Sequence, residues 1–284
     1  LAGSVGTASV AGLLNTTLGV ASYLGFDINN VSLVGDHTKI EAQKDILGGA
    51  FGEAIGGKID NVQITNLESV RGNNYVGGFV GVASPGDLVG TDGGLTVNLL
   101  GLNHLIKLSN LLSLGQAIEV KITNSSVIGI ESGMTIEATG QREENSVQDY
   151  VVGGFVARSG STKISNSIVK NLKYVKTTDQ GGYAGGFVGI SKTGGLAEVG
   201  DETEIKSLIE ANGLLNAVAY LIPKYEQCRV EFVKEGQVIG DLAGGFAADF
   251  QSGTLDDAGE NIAVNNIEKV SGRSYAGGFA GKVY

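Results

Sequence analysis

The chain has 284 residues, 46 of them glycine, only two proline and none tryptophan, and its 20 basic and 30 acidic residues leave a formal charge of −10. That acidity speaks against nucleic acid or an anionic membrane surface as partner, because both demand a basic stripe. A hydrophobic share of 42% excludes disorder, and glycine without a G-X-Y period excludes collagen.

Leu1–Gly25 has no basic start and is punctuated by Gly, Ser, Thr and Asn, so it does not read as a signal peptide. Residues 5–24 break the strand rhythm seen elsewhere and read as a first helical insertion. No run of about 18 uninterrupted apolar residues marks a membrane span. The start at Leu1 and the end at Tyr284 read as boundaries inside something longer.

Residues 29–98 read as strand-rich. They hold Leu47-Gly-Gly-Ala-Phe51, a degenerate form of a signature that appears complete at Tyr75-Val-Gly-Gly-Phe-Val-Gly81. Residues 99–117 place Leu99, Leu102, Leu105, Ile106 and Leu112 near helical spacing and read as a second helical insertion. Strand character returns over 119–200. Val120-Lys-Ile-Thr-Asn-Ser-Ser-Val-Ile-Gly129 alternates and ends in glycine. Thr162–Leu172 places Ile164, Ile168 and Leu172 on one side. The signature recurs as Val152-Gly-Gly-Phe-Val156 and Tyr183-Ala-Gly-Gly-Phe-Val-Gly189. Residues 205–225, with Ile205, Leu208, Ile209, Leu215, Val218 and Leu221, read as a third helical insertion stopped by Pro223. Residues 229–284 are strand-rich again, with Ala243-Gly-Gly-Phe-Ala247 and Tyr275-Ala-Gly-Gly-Phe-Ala-Gly281.

Lys58-Ile-Asp-Asn and Lys163-Ile-Ser-Asn are offset by 105 residues, and Tyr75 and Tyr183 by 108. The chain is therefore about two and a half copies of one long unit, each with two glycine-phenylalanine turns. A short strand cannot bury its apolar face alone but can when stacked on its equivalent in the next repeat. The expectation is a mainly β fold: one continuous, right-handed parallel β-solenoid over 1–284, carrying short α-helical insertions. An antiparallel sandwich or propeller is the alternative. Phe79, Phe155, Phe187, Phe246 and Phe279 should lie inside. Leu105, Ile106, Leu112, Leu214, Val218 and Leu221 should cover the core.

No residue qualifies as catalytic, cofactor-binding or metal-ligating. His37 and His104 are isolated, and Cys228, the sole cysteine, reads as a small core residue. Gly52–Lys58 has the glycine and lysine spacing of a phosphate loop, but Ile59 stands where Ser or Thr must bind magnesium. The acidic groups Asp201–Glu204, Glu143-Glu144 and Asp256-Asp257…Glu260 read as solvated turns. Arg71 and Arg273 sit beside equivalent signatures, which speaks for structure.

Gly153-Gly-Phe-Val-Ala-Arg-Ser-Gly-Ser-Thr-Lys-Ile-Ser-Asn-Ser-Ile-Val-Lys-Asn-Leu172 resembles the GLUG repeat of bacterial surface proteins, in which Val-Gly-Gly-Leu-Val-Gly, a polar turn and Ile-x-Asn-Ser precede a strand. Phe replaces the usual Leu, and the helical insertions are extra. The resemblance implies an exported, often wall-attached protein without catalysis in the repeats. The expected function is a non-catalytic structural or adhesive region, a stalk or ligand-presenting solenoid. A host or neighbouring-cell glycan or protein would be its partner, no cofactor is needed, and the chain is a monomer. The alternative is a carbohydrate-active β-helix enzyme or carbohydrate-binding module, which requires charged residues from adjacent rungs to converge on one face.

Overall fold

The computed structural model describes residues 2–6, 26–43, 45–84, 119–140, 150–178, 181–193, 222–256 and 262–284. Among these, every regular element is a β-strand and every strand pair is parallel. The parallel pairing rules out the antiparallel alternatives.

The strands follow one route repeatedly. The first pass holds β1 (Ala2–Gly6), β2 (Phe26–Glu41) and β3 (Ile46–Gly48); the second β4 (Phe51–Ile55), β5 (Gly57–Gly72) and β6 (Tyr75–Gly77). The third holds β7 (Val80–Ser84), β8 (Val120–Thr123), β9 (Ser126–Gly129), β10 (Met134–Ala138) and β11 (Val151–Gly153). The fourth holds β12 (Val156–Gly160), β13 (Thr162–Ser165), β14 (Ile168–Thr177) and β15 (Tyr183–Gly185). The fifth holds β16 (Val188–Lys192), β17 (Lys224–Glu226) and β18 (Arg229–Gly244); the sixth β19 (Ala247–Phe250), β20 (Thr254–Asp256) and β21 (Ala263–Gly277). A last strand, β22 (Ala280–Val283), opens the next pass. One strand from each pass enters a seven-stranded sheet in the order β1-β4-β7-β12-β16-β19-β22, and the others build a fifteen-stranded sheet. This arrangement is consistent with a β-helix.

The Gly-Gly-Phe signature is the corner that joins one pass to the next. Both of its glycines have a steric cause. A Cβ on Gly185 would lie 1.8 Å from the carbonyl oxygen of Val188, so the corner is too tight for a side chain. A Cβ on Gly186 would lie 1.9 Å from the carbonyl oxygen of Gly245, one pass further on. The third residue turns inward. The rings of Phe79, Phe155, Phe187, Phe246 and Phe279 stack with centroids 4.6 to 5.0 Å apart, close to the ~4.8 Å spacing of paired strands. The first four rings are fully buried and Phe279, on the last pass, is 39% exposed. At the degenerate corner the register sets Gly48 beside Gly77 and Phe51 beside Val80, so Ala50 occupies the inward ring position. Phe51 instead meets Phe79 edge-on at 5.7 Å.

Corner-to-corner distance is 29 residues from Gly49 to Gly78, 32 from Gly154 to Gly186 and 33 from Gly245 to Gly278. The passes from Gly78 to Gly154 and from Gly186 to Gly245, 76 and 59 residues long, contain the segments 85–118 and 194–221, which join β7 to β8 and β16 to β17. Segment 7–25 joins β1 to β2 at the same corner of the first pass. In the passes between, that corner is only Gly56, Ser161 or Gln251–Gly253. The expected helices at 7–24, 99–117 and 205–221 lie outside the described residues. Where those expectations overlap described chain, they are corrected: Val5 lies in β1, and Lys224 and Tyr225 lie in β17, immediately after Pro223.

Inward columns fill the core. Ile28, Ile59, Ile122, Ile164 and Tyr225 form one, which Leu255 continues on the sixth pass, where it is 43% exposed. Leu33, Ile64, Val127, Val169, Val230 and Val264 form the next. Between them the chain bends at residues with positive φ: Asn30, Asn61, Asn124, Asn166 and Gln227. Asparagine tolerates that conformation and its amide completes a ladder along the bend. Asn61 Nδ2 donates to Asn30 Oδ1 at 2.8 Å, and Asn166 Nδ2 donates to Asn124 Oδ1 at 2.7 Å. The bend also resets the alternation of side chains. Ile168, expected inward, is only half-buried, and Val169 takes the core position.

Candidate functional site

No single cleft was legible in the sequence, so the functional candidates are the outer columns that the stack assembles. On one face Lys58, Lys121, Lys163 and Lys224 share a register column. Two residues further along each strand stand Asp60, Thr123, Ser165 and Glu226, with Asp256 next in register after Glu226. Lys58 pairs with Asp60 at 3.7 Å, Lys121 with Glu119 at 3.8 Å and Lys163 with Glu226 at 2.7 Å. Hydrogen bonds from Thr123 and Asn124 hold the Asp60 carboxyl below its ordinary pKa. Glu119 is almost wholly buried, and one of its carboxylate oxygens has no hydrogen-bond partner among the described residues. Burial raises its pKa against the attraction of Lys121, Lys224 and Lys163. Lys58, Lys121 and Lys163 are thus paired with Asp60, Glu119 and Glu226, and the strip largely neutralises itself. It is a poor platform for a polyanion.

A second column, near the Gly-Gly-Phe corner, runs Glu41, Arg71, Glu137, Lys176. Arg71 Nε and Lys176 Nζ approach the two oxygens of the buried Glu137 carboxylate at 3.1 and 3.0 Å from opposite sides. Alternating sign along a column penalises a slip of register, because a slip by one pass would set like charges together. Arg273 reaches Asp241 at 2.9 Å, and Ser274 donates to the same carboxylate oxygen at 2.7 Å. Burial would raise the Asp241 pKa, but Ser274 and Arg273 together hold it below the ordinary value.

A third group is buried. Tyr225 donates from its hydroxyl to Ser191 Oγ at 2.9 Å, and Ser191 donates to the Ser252 carbonyl at 2.7 Å. Burial pushes the Tyr225 hydroxyl far above its usual pKa, so it stays protonated and serves as a donor.

The residues weighed from sequence fall as follows. His37 is exposed on β2, 3.5 Å from Glu68; His104 lies outside the described residues. Cys228 is buried, its thiol donates towards the carbonyls of Ile164 and Glu226, and burial raises its pKa to about 12, too high for a thiolate nucleophile. Gly52–Lys58 spans β4 and β5, so its backbone is committed to strand pairing and its lysine to Asp60. Residues 143–144, 201–204, 257 and 260 lie outside the described residues, and Asp256 closes β20. Among the described residues no group of three or more His, Cys, Asp or Glu is placed to hold a metal ion. Sequence reasoning missed the lysine column. The signal was present in Lys58-Ile, Lys121-Ile and Lys163-Ile, each with Asn two residues after the Ile.

No family model, curated protein or solved structure matches this chain. Among the described residues no helix is long and apolar enough to cross a membrane, which says nothing of a β-barrel.

Proposed function

We propose that the chain is a parallel β-solenoid serving as a non-catalytic stalk or ligand-presenting rod on a bacterial surface, exported and held at the cell wall. The observation that carries this reading is the repeated corner. Each Gly-Gly backbone is shaped to receive the next pass, so cohesion runs along the stack and length is added at ~4.8 Å per pass. Charged columns close on themselves by ion pairs between neighbouring passes, as expected of a surface built to hold register. The GLUG-like residues Gly153–Leu172 support the surface location. A second reading, a carbohydrate-active β-helix enzyme, is favoured by one observation: the buried Glu119 with its raised pKa beside Lys121. Incubation with pectin, peptidoglycan and host glycans separates the two. The rod reading expects no product release. Release that is abolished by Glu119→Gln or Glu226→Gln would overturn it in favour of the enzyme.

A further inference from the structure

Tyr75, Tyr183 and Tyr275 each open a complete signature, and the register brings them into one column. Along the stack it reads Ile46, Tyr75, Val151, Tyr183, Leu242, Tyr275. This column lies outside the main core. The next residue in each strand, Leu47, Val76, Val152, Ala184 or Ala243, packs into that core. Tyr75 and Tyr183 pack instead on a separate outer cluster of Val151, Ala157 and Ile190. Tyr75 and Tyr183 are part-exposed and Tyr275 is 50% exposed, whereas Val151 and Leu242 between them are buried. One side of the stack therefore carries a ridge in which tyrosine alternates with a recessed aliphatic residue. Its period is two passes, or about 9.6 Å.

We propose that this ridge binds an extended, uncharged β-linked polysaccharide by stacking sugar rings on Tyr75, Tyr183 and Tyr275. In such a polymer each sugar is turned over relative to the last, so every second ring offers the same apolar face. Its repeat is a disaccharide, close in length to the two-pass period of the ridge. Aromatic side chains supply a flat apolar surface with a polar tip, which suits a sugar's C–H face and its hydroxyl rim. Charge points to a neutral chain. Among the described residues Arg71 is paired with Glu137, Arg273 with Asp241, and Lys282, whose Nζ lies 5.7 Å from the centre of the Tyr275 ring, with the Tyr284 hydroxyl. The proposal rests on the reading of the chain as a ligand-presenting rod.

The test is calorimetric titration of the whole chain with cellohexaose and chitohexaose, beside cellobiose, chitobiose and polygalacturonate. At least one hexaose should bind about tenfold or more tightly than its disaccharide, because only the longer chain reaches a second tyrosine. Tyr183→Leu keeps apolar packing against Val151 and Ile190. It should leave the melting temperature unchanged and weaken hexaose binding by about tenfold, and Tyr183→Phe should restore it. Three results would overturn the proposal: neither hexaose binds, Tyr183→Leu folds and binds as well as the parent, or polygalacturonate binds best. None of these would touch the rod reading, which is decided by product release and not by retention of a sugar.

Discussion

Gly245 and Gly278 hold the same position in successive corners but have different neighbours, so a single added methyl tests the stacking argument. A Cβ on Gly245 would lie 2.0 Å from the carbonyl oxygen of Gly278 and 3.1 Å from its carbon. Ordinary contact begins at 3.4 Å, so the two passes must separate by roughly 1.4 Å (3.4 − 2.0), since backbone cannot swing aside as a side chain does. That opening strains three hydrogen bonds: Gly245 N–H to Gly277 at 3.2 Å, and Phe246 and Ala247 N–H to Phe279 at 2.7 and 3.1 Å. It also pulls apart the Phe246–Phe279 stack at 5.0 Å. At about 1 kcal/mol for each hydrogen bond and a similar amount for the ring pair, Gly245→Ala should cost about 3–4 kcal/mol. Gly278 has no atom of the described residues within 4 Å of a Cβ and no positive φ. Gly278→Ala in this chain should therefore be neutral, or stabilising by about 0.5 kcal/mol through the unfolded state. The assay is thermal melting of both variants, where the first should fall by on the order of 6 °C and the second should not move. Amide exchange at Phe246 and Ala247 reports the same opening locally, which matters because stacked passes need not unfold together. Equal losses in the two variants would refute the argument and assign the second glycine to the corner's own geometry.

Three further expectations follow the same logic. Phe187→Ala removes a fully buried ring held between two stacked neighbours and should cost roughly 3–5 kcal/mol in denaturant titration, whereas Phe279→Ala should cost much less. Asn166→Ala forces a residue with a Cβ but no side-chain amide into φ 46° and removes the bond to Asn124, for a loss of about 1–2 kcal/mol. Asn166→Gly should recover the conformational part. The third concerns pH. Glu119 has a raised pKa in the fold, so its contribution is fully present below the ordinary glutamate value of 4.5 and is lost as pH rises through the folded value. Glu119→Gln should therefore melt above the parent at pH 7, and the difference should vanish below pH 4.5; a constant difference at both pH values would show that ionisation is not the cause.

The repeating corner and its ring were legible in the residues alone. Gly-Gly-Phe carries its steric meaning in its own residues: two positions without Cβ for a tight, closely covered turn, and one large apolar side chain after them. Recurrence in short strands, each unable to bury a face alone, was enough to call for parallel stacking. The Lys-Ile-x-Asn pattern likewise announced a strand followed by a bend. Which residue of each strand faces the core was a different matter. Strict alternation pointed Ile168 inward, but the bend at Asn166 spends a residue in the left-handed region and hands the core position to Val169. At the degenerate corner Ala50 stands where the other corners place a ring, and Phe51 meets Phe79 edge-on. The outer columns were further still from view. Arg71 meets Glu137, and Tyr75 lines up with Tyr183, only because passes of unequal length are brought into register by their backbone ladders. Sequence separation varies from pass to pass while the strand spacing stays constant, so neighbours along the stack are set by the tertiary structure alone.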